Sequence, residues 1–176
     1  QVEAAVTPLA DKTRKGILVG LQQYSNALKV TRMAGGDAVD VVPAIIKERY
    51  TPSLIGRIVG MHASYYARQV GFGSAFESKV ANELSDFVIR LEAPENAIWY
   101  ARKSGAIVGS IAIDGQDLQD GQAHLRWFIV DKGVRGTGVG NKLMRRAMAF
   151  CDKRAFSETH LWTFRGLDAA RRLYEK

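Results

Sequence analysis

The sequence predicts a mixed α/β domain in which helices flank a central sheet. Apolar residues recur at helical spacing over about 53–92, which indicates two consecutive helices. Two short strands follow at about 97–102 and 106–113. A strand, a glycine-rich loop and an amphipathic helix then occupy 124–154. Strands and helices interspersed in this way are typical of a mixed α/β domain.

The N-terminal segment, residues 1–33, is predicted to be helical. The apolar residues of its helix, about 10–32, recur at helical spacing: Ile17, Leu21, Tyr24 and Leu28. Residues 34–40, which contain two adjacent glycines, are predicted to be a linker to the main domain at 41–176. Because one helix cannot bury its own apolar face, we expect this helix to pack on the main domain or on another chain.

The main domain is predicted to begin with a strand at about 42–50. Thr51 and Pro52 are typical of an N-cap and a first helical turn, so we expect a helix to begin there. The second helix has the strongest periodicity, with apolar residues at Phe76, Val80, Leu84, Phe87, Val88 and Leu91. Along the chain, these two helices come after the first strand and before the remaining strands.

Strands dominate the next part of the chain. Ser104-Gly105 is predicted to be the tight turn of a hairpin, and a polar loop precedes the strand His124–Val130. A helix is expected at about 138–154, followed by a short strand, Thr159–Thr163, and a last helix from about 166. The predicted element order is β-α-α-β-β-β-α-β-α.

Composition excludes several classes of protein. The 176 residues are 47% hydrophobic and 24% charged, without an apolar run of the roughly 20 residues that a membrane span needs. The single cysteine, Cys151, allows no intrachain disulfide, so a reducing cytoplasm is the expected setting. No histidine, cysteine or acidic cluster has metal-ligand spacing, and we expect no metal. The net charge of +7 favours polyanions but selects none of them.

The glycine-rich loop has the features of a phosphate site. It lies between a strand and a helix, whose first N–H groups attract anions. A P-loop needs a lysine where Val139 stands, and a dinucleotide-binding fingerprint needs a glycine where Asn141 stands. The pattern Arg-x-x-Gly-x-Gly, in contrast, fits Arg135, Gly138 and Gly140.

This pattern resembles the one with which GNAT N-acetyltransferases hold the pyrophosphate of acetyl-CoA, and the resemblance covers about 42–176. It implies the GNAT acyl-CoA N-acyltransferase fold and acetyl-CoA as cosubstrate. It also implies that the strands His124–Val130 and Thr159–Thr163 splay apart to admit the pantetheine arm. The implied cofactor-binding residues are Phe128, Ile129, Val130, Arg135, Gly136, Thr137, Gly138, Val139, Gly140 and Asn141.

The resemblance further implies direct acetyl transfer to a primary amine in a ternary complex. Tyr174 matches the tyrosine that protonates the departing thiolate in many GNAT enzymes, and a phenol is protonated at neutral pH. The base that deprotonates the amine is not identified. His124 is the only histidine on the predicted active-site strand, but a solvated histidine at the start of a strand is the interpretation we favour, and a water chain could serve equally well. Lys142, Arg145 and Arg146 are either contacts to the remaining phosphates or a solvated basic face.

A narrower resemblance is to the acetyltransferase half of MarR–GNAT fusion proteins. It is carried by the glycine loop and by the runs 125–130, 161–163 and 169–175. It implies that 1–33 is the remnant of an upstream winged-helix domain, and that DNA binding requires this missing domain. The alternative function is therefore an acyl-CoA-sensing module of a MarR-type regulator, without turnover.

Two departures from the GNAT pattern affect these expectations. Lys132 and Leu167 replace a proline and an asparagine that are frequent in the family. Family members also continue past the position of Lys176, so a domain truncated at its C-terminus, without the last strands, is expected. The acceptor, a small molecule or a protein lysine, would contact the aromatic side chains of the helices at 53–92. Whether the protein is a homodimer is left open.

Overall fold

The computed structural model describes residues 5–9 and 43–163, and the backbone alone for 5–9 and 163. The elements, in chain order, are β1 Ala5–Leu9, β2 Ile45–Glu48, α1 Leu54–Val70, α2 Ser74–Ile89, β3 Ala97–Lys103, β4 Ala106–Asp114, β5 Gln122–Val130, a 3-10 turn Lys132–Val134, α3 Val139–Lys153 and β6 Glu158–Thr163. None of the described helices is both long and apolar enough to span a membrane.

The six strands form one mixed sheet in the order β1-β6-β5-β4-β3-β2. β5 and β6 are parallel, as expected for two strands connected through a helix, and every other neighbouring pair is antiparallel. The prediction of a mixed central sheet flanked by helices is confirmed. The predicted order of elements from the first main-domain strand to β6 is also confirmed.

The sheet has a separate hydrophobic core on each face. α3 covers one face, where Leu143, Met144 and Ala147 pack against Ile111 and Leu125. α1 and α2 cover the other face, and the core there includes Leu54, Ile58, Leu84, Phe87, Ile98, Trp127 and Ile129. The candidate site is therefore built on a sheet whose two faces carry different elements.

The start of α1 differs from the sequence prediction. Thr51 does not cap the helix; its carbonyl accepts a hydrogen bond from the Leu54 N–H at 3.1 Å, which closes a turn before the helix. The N-cap is Ser53, whose φ of 72° places it in the left-handed region. The helix ends at Gly71 with φ 71°, a conformation that glycine adopts without steric cost.

Two strands also differ from the sequence prediction. The first strand of the main domain is shorter than predicted, Ile45–Glu48. Ala5–Leu9, placed by the sequence in a helical segment, is a strand that pairs with β6. The helix expected at about 10–32 and the last helix from about 166, which carries Tyr174, lie outside the described residues.

Candidate active site

The candidate site begins where β5 and β6 separate. Their parallel pairing covers only Gln122–Leu125 of β5 and Glu158–Leu161 of β6. β5 continues to Val130, and in the described part of the chain its later residues pair only with β4. The β5 edge beyond Leu125 can therefore accept an extended polar chain, which would add hydrogen bonds as a further strand does.

A β-bulge lies at the mouth of this gap. Ser110 is paired with Ile129 and Ala112 with Arg126, so that Ile111 faces two residues, Trp127 and Phe128. Trp127 has a φ of 46°, unusual for a bulky residue, and its carbonyl accepts a 2.8 Å hydrogen bond from the buried Ser110 hydroxyl. That hydrogen bond fixes the bulge from the neighbouring strand.

The bulge changes the faces to which the β5 side chains point. Before it, Leu125 belongs to the core under α3; after it, Phe128 and Val130 pack against that same core. Trp127 and Ile129 belong to the opposite core. An even spacing without a bulge would have put Leu125 and Phe128 on opposite faces.

The loop after β5 is fixed by side-chain hydrogen bonds. The Asp131 carboxylate accepts from the Gly133 N–H at 3.1 Å and from Arg57 of α1 at 2.7 Å. Arg57 also donates to the Ile107 carbonyl at 2.7 Å. These contacts hold the start of the glycine loop against β4 and α1.

The glycine loop ends in a helix N-terminus suited to bind an anion. Gly136 and Gly138 have φ values of 76° and 83°, which favour glycine. Gly138 is the N-cap of α3; the first turn of this described helix has no side-chain cap hydrogen bond and no acidic residue. Its first N–H groups and the positive end of the helix dipole therefore favour a phosphate.

The structure brings the predicted residues of β5 and α3 together. A Cβ built on Gly140 would lie 3.5 Å from Phe128 and 3.6 Å from Val130, so a glycine there keeps space between strand and helix. Val139 and Asn141 have buried side chains, and only their backbone N–H groups are candidates for a ligand contact. The Ile129 side chain is buried on the opposite face, which also limits it to backbone contacts.

Arg135 makes contacts that the sequence did not predict. Its Nε donates to the Val130 carbonyl at 2.9 Å, and its guanidinium lies 4.8 Å from the centre of the Tyr65 ring. Thr137 donates to the Val134 carbonyl at 2.7 Å and thereby closes the turn. Three basic side chains in the first half of α3 are exposed, namely Lys142, Arg145 and Arg146.

The aromatic side chains of α1, of α2 and of the turn between them lie together, as an apolar acceptor wall would require. Tyr66 is 4.9 Å from Phe76 and 5.1 Å from Tyr65, between ring centres, and Phe72 is 5.0 Å from Phe76. Burial raises the pKa of the Tyr66 phenol to about 12, and the neighbouring Tyr65 adds to the shift. Tyr66 therefore stays protonated at neutral pH.

A polar network lies on the sheet face opposite α3. His124 donates from Nδ1 to Asp117 at 2.5 Å. Arg126 reaches Glu83 of α2 at 2.5 Å and Asp117 at 3.5 Å, and its guanidinium lies 4.2 Å from the centre of the Trp127 ring. The network joins β5, α2 and the loop before β5.

The charges in this network set the protonation of its members. Burial lowers the pKa of His124 below its ordinary value, while the hydrogen bond to Asp117 opposes the shift and the charge of Arg126 adds to it. Burial alone would raise the pKa of Asp117, but the contacts with His124 and Arg126 lower it. At neutral pH the pair is a neutral imidazole and a carboxylate.

Sequence reasoning missed Asp117, Arg126 and Trp162 as site residues. Asp117 lies in a polar loop without a local pattern, and only its distance from His124 shows its role. The centre of the Trp162 ring lies 5.5 Å from that of His124, and 42% of Trp162 is exposed. For Arg126 alone, the sequence contains an indication of a polar contact, because it is the single charged residue in the otherwise apolar strand segment 125–130.

The family model for the acetyltransferase (GNAT) family matches residues 61–176. An acetyltransferase of the GNAT family from Staphylococcus aureus Mu50 is 19% identical, with a TM-score of 0.61, and the match covers 74% of this chain and 80% of that one. An acetyltransferase from Streptococcus agalactiae 2603 is 23% identical, with a TM-score of 0.60 and coverage of 75% and 80%.

A third solved structure contains a ligand. The PaiA N-acetyltransferase from Thermoplasma acidophilum, in complex with coenzyme A, is 16% identical, with a TM-score of 0.59 and coverage of 74% and 86%. At these identities the structural matches establish the fold alone. No curated protein matches the sequence.

Proposed function

The chain belongs to the GNAT acetyltransferase family, and from this we propose that it transfers an acetyl group from acetyl-CoA to a primary amine. The observation that carries the proposal is the gap between β5 and β6, which opens beyond Leu125 and leads to the uncapped N-terminus of α3 at Gly138. An extended arm fits the gap, and a pyrophosphate fits the helix end.

The edge of β5 and the N-terminus of α3 would bind different parts of acetyl-CoA. Backbone groups of Phe128, Ile129 and Val130 would hydrogen-bond the pantetheine arm. The N–H groups of residues 136–141 would bind the pyrophosphate, with help from the positive end of α3. Acetyl-CoA supplies the activated acyl group, and the protein supplies position and charge.

The chemistry proposed is direct transfer. The acceptor nitrogen attacks the thioester carbonyl, and N–H groups near the Trp127 bulge would stabilise the oxyanion. Tyr174, which lies outside the described residues, would return a proton to the departing thiolate. A relation to MarR–GNAT fusion proteins, and the sensor function it implies, stays a prediction.

The test is release of CoA thiol with a panel of amines that includes polyamines, amino acids and lysine peptides. Formation of the acetylated amine, identified by mass spectrometry, is the expected result. Binding of acetyl-CoA without acetylation of any amine would contradict the proposed acetyltransferase activity and favour an acyl-CoA-sensing module without turnover.

We predict that Tyr174→Phe lowers kcat by about two to four orders of magnitude, because it removes the proton donor to the thiolate. The KM for acetyl-CoA should change little, since the hydroxyl acts only as the thiolate departs. Steady-state kinetics check both values. Tyr50→Phe, at a tyrosine that is 52% exposed, is the control and should be neutral. A Tyr174→Phe enzyme as fast as the parent would remove Tyr174 from the mechanism.

A further inference from the structure

His124 lies at the closed end of the gap between β5 and β6. His124 is paired with His160 of β6. The next pair, Leu125 with Leu161, is the last one between the two strands. At about 3.3 Å per residue, the Cα of His124 is about 10 Å along the strand from that of Trp127 in the bulge. An acceptor amine placed between the bulge and His124 is within reach of both, directly or through one water.

The side chain of His124 points to the face away from the proposed cosubstrate path. Its neighbours Ala123 and Leu125 belong to the core under α3, so alternation places His124 on the other face. The N-terminus of α3, which would hold the pyrophosphate, is on the α3 face. An acceptor that approached the thioester from the other face of the sheet would meet His124 there.

The Asp117 carboxylate fixes the tautomer of His124. A carboxylate can only accept, so the 2.5 Å contact requires that Nδ1 carries the proton, and Nε2 is then the basic nitrogen. Burial keeps the ring neutral at pH 7, since it lowers the pKa of His124. A neutral imidazole with an oriented partner is ready to accept a proton.

The surroundings of His124 suit a cationic acceptor. The exposed ring of Trp162, beside the imidazole, can attract an ammonium group through its π face. Within residues 43–163, the other charged or titratable groups around His124 are Asp117 from the loop, Asp114 from β4, Arg126 from β5, and His160 with its partner Glu158 from β6.

We infer that His124 is the general base that deprotonates the acceptor amine and that Asp117 is the residue that positions it. The inference rests on the proposed function. Nε2 takes one proton from the acceptor ammonium. The neutral nitrogen then forms the C–N bond as the thioester C–S bond breaks, and the sulfur leaves as thiolate. The attacking nitrogen loses its second proton to solvent, and the thiolate takes up a proton from Tyr174. Tyr174 is then reprotonated from solvent, and His124 returns its proton to solvent.

The first measurement is the NMR titration of His124 in the parent protein and in Asp117→Asn, which does not depend on turnover. Because the Asp117 carboxylate raises the pKa of His124, its removal should lower the titration midpoint further. An unchanged midpoint would overturn the positioning role of Asp117.

The second measurement is the pH profile of kcat/KM for a reactive amine. Activity of the parent should fall as His124 becomes protonated, below its ordinary pKa of 6.5. His124→Gln should lose this acidic limb and lower kcat by about 100-fold to 10,000-fold, with acetyl-CoA affinity unchanged. His160→Gln, at a partner of similar burial on the same face, is the matched control and should keep the limb.

Asp117→Asn provides a second variant in case His124→Gln does not fold. In this variant the acidic limb of the kcat/KM profile should move to lower pH by the same amount as the NMR midpoint of His124. A histidine with only a structural role would not make the two shifts agree. If the parent acetylates amines and His124→Gln keeps the parental pH profile, the inference is wrong and the proposed function stands. The same holds if Asp117→Asn keeps the parental pH profile although its NMR midpoint has moved. A parent without turnover on any amine contradicts the proposed function instead.

Discussion

Single side chains hold the elements of the candidate site in register. Asp114, fully buried at the end of β4, accepts hydrogen bonds from Arg90 at 3.0 and 2.7 Å, so its charge is balanced inside the fold. Arg57 balances Asp131 at the other end of the site. Removing one partner of a buried pair is costly because the other charge stays desolvated. This cost applies to Arg90, the C-cap residue of α2, because Asp114 is fully buried, whereas Arg57 and Asp131 are both partly exposed and their pair mainly positions the loop after β5.

His62 gives the stability of the protein a specific dependence on pH. Burial lowers its pKa from 6.5 to about 4, although its Nδ1–H donates to the Ile58 carbonyl at 2.9 Å. Between these values the unfolded chain takes up a proton that the native state does not. The free energy of unfolding should therefore fall as the pH drops through this window, by up to about 3 kcal/mol, and show no His62 effect above it.

Urea unfolding of the parent and of His62→Leu, at about pH 7 and at about pH 4.5, checks this prediction. The variant cannot take up that proton, so its loss of stability on acidification should be smaller. Equal losses in the two proteins would show that His62 is not the group responsible.

At the scale of elements, local patterns predicted the helices and strands well where one face is buried. α2 and α3 have apolar residues at regular helical spacing, and the structure confirms both within about two residues. The bulge in β5 could not be located because residues 127–130 are all apolar, so alternation leaves no mark of the change of face. Ala5–Leu9 was missed because its partner in β6 is distant in sequence.

The same contrast holds for the site. The loop from Arg135 to Gly140 has a local pattern, and sequence alone located it between a strand and a helix. The contact of His124 with Asp117 depends on how a loop folds back on β5, and nothing at either position predicts it. Arg135 was expected to hold phosphate, but which partners it takes depends on the packing of α1 beside the loop.

The start of α3 allows stability and ligand binding to be separated. Gly140→Ala places a Cβ at ordinary contact distance from Phe128 and Val130, and alanine favours a helix over glycine. We expect the variant to be more stable by up to about 1 kcal/mol. We also expect weaker acetyl-CoA binding, because the methyl group narrows the space between strand and helix.

Gly60→Ala is the matched control. Gly60 lies within α1, and an added Cβ would meet nothing within 4 Å. It should raise the melting temperature without a change in the Kd for acetyl-CoA. Calorimetric titration gives the Kd values, and a Gly140→Ala protein with parental affinity would argue against a ligand close to this glycine.

At the scale of the whole molecule, one sheet with two cores supports a site that opens at a strand separation. The gap interrupts the hydrogen bonding of β5 with β6, while β4 still pairs with β5 along most of its length. A ligand that restores the missing hydrogen bonds should therefore stabilise the native state as a whole.

We predict that acetyl-CoA at about 100 times its Kd stabilises the protein by about 2.7 kcal/mol. For a chain of this size, that corresponds to a rise of about 5–10 °C in Tm. Thermal unfolding monitored by circular dichroism measures it. Inorganic pyrophosphate at equal ionic strength is the control, since a net charge of +7 attracts any polyanion. Equal shifts with both compounds, or no shift with acetyl-CoA, would contradict a pantetheine site.

The pairing of β1 with β6 has a consequence for synthesis of the chain. β3 and β4 form a hairpin and can pair soon after they are made, whereas β1 must wait for Glu158–Thr163. Ribosomes add about 5–20 residues per second, so β1 spends on the order of ten seconds without its partner strand. β1 is thus among the last strands to join the sheet although it is made before the other five, and the edge of β6 is covered only when synthesis has passed residue 163.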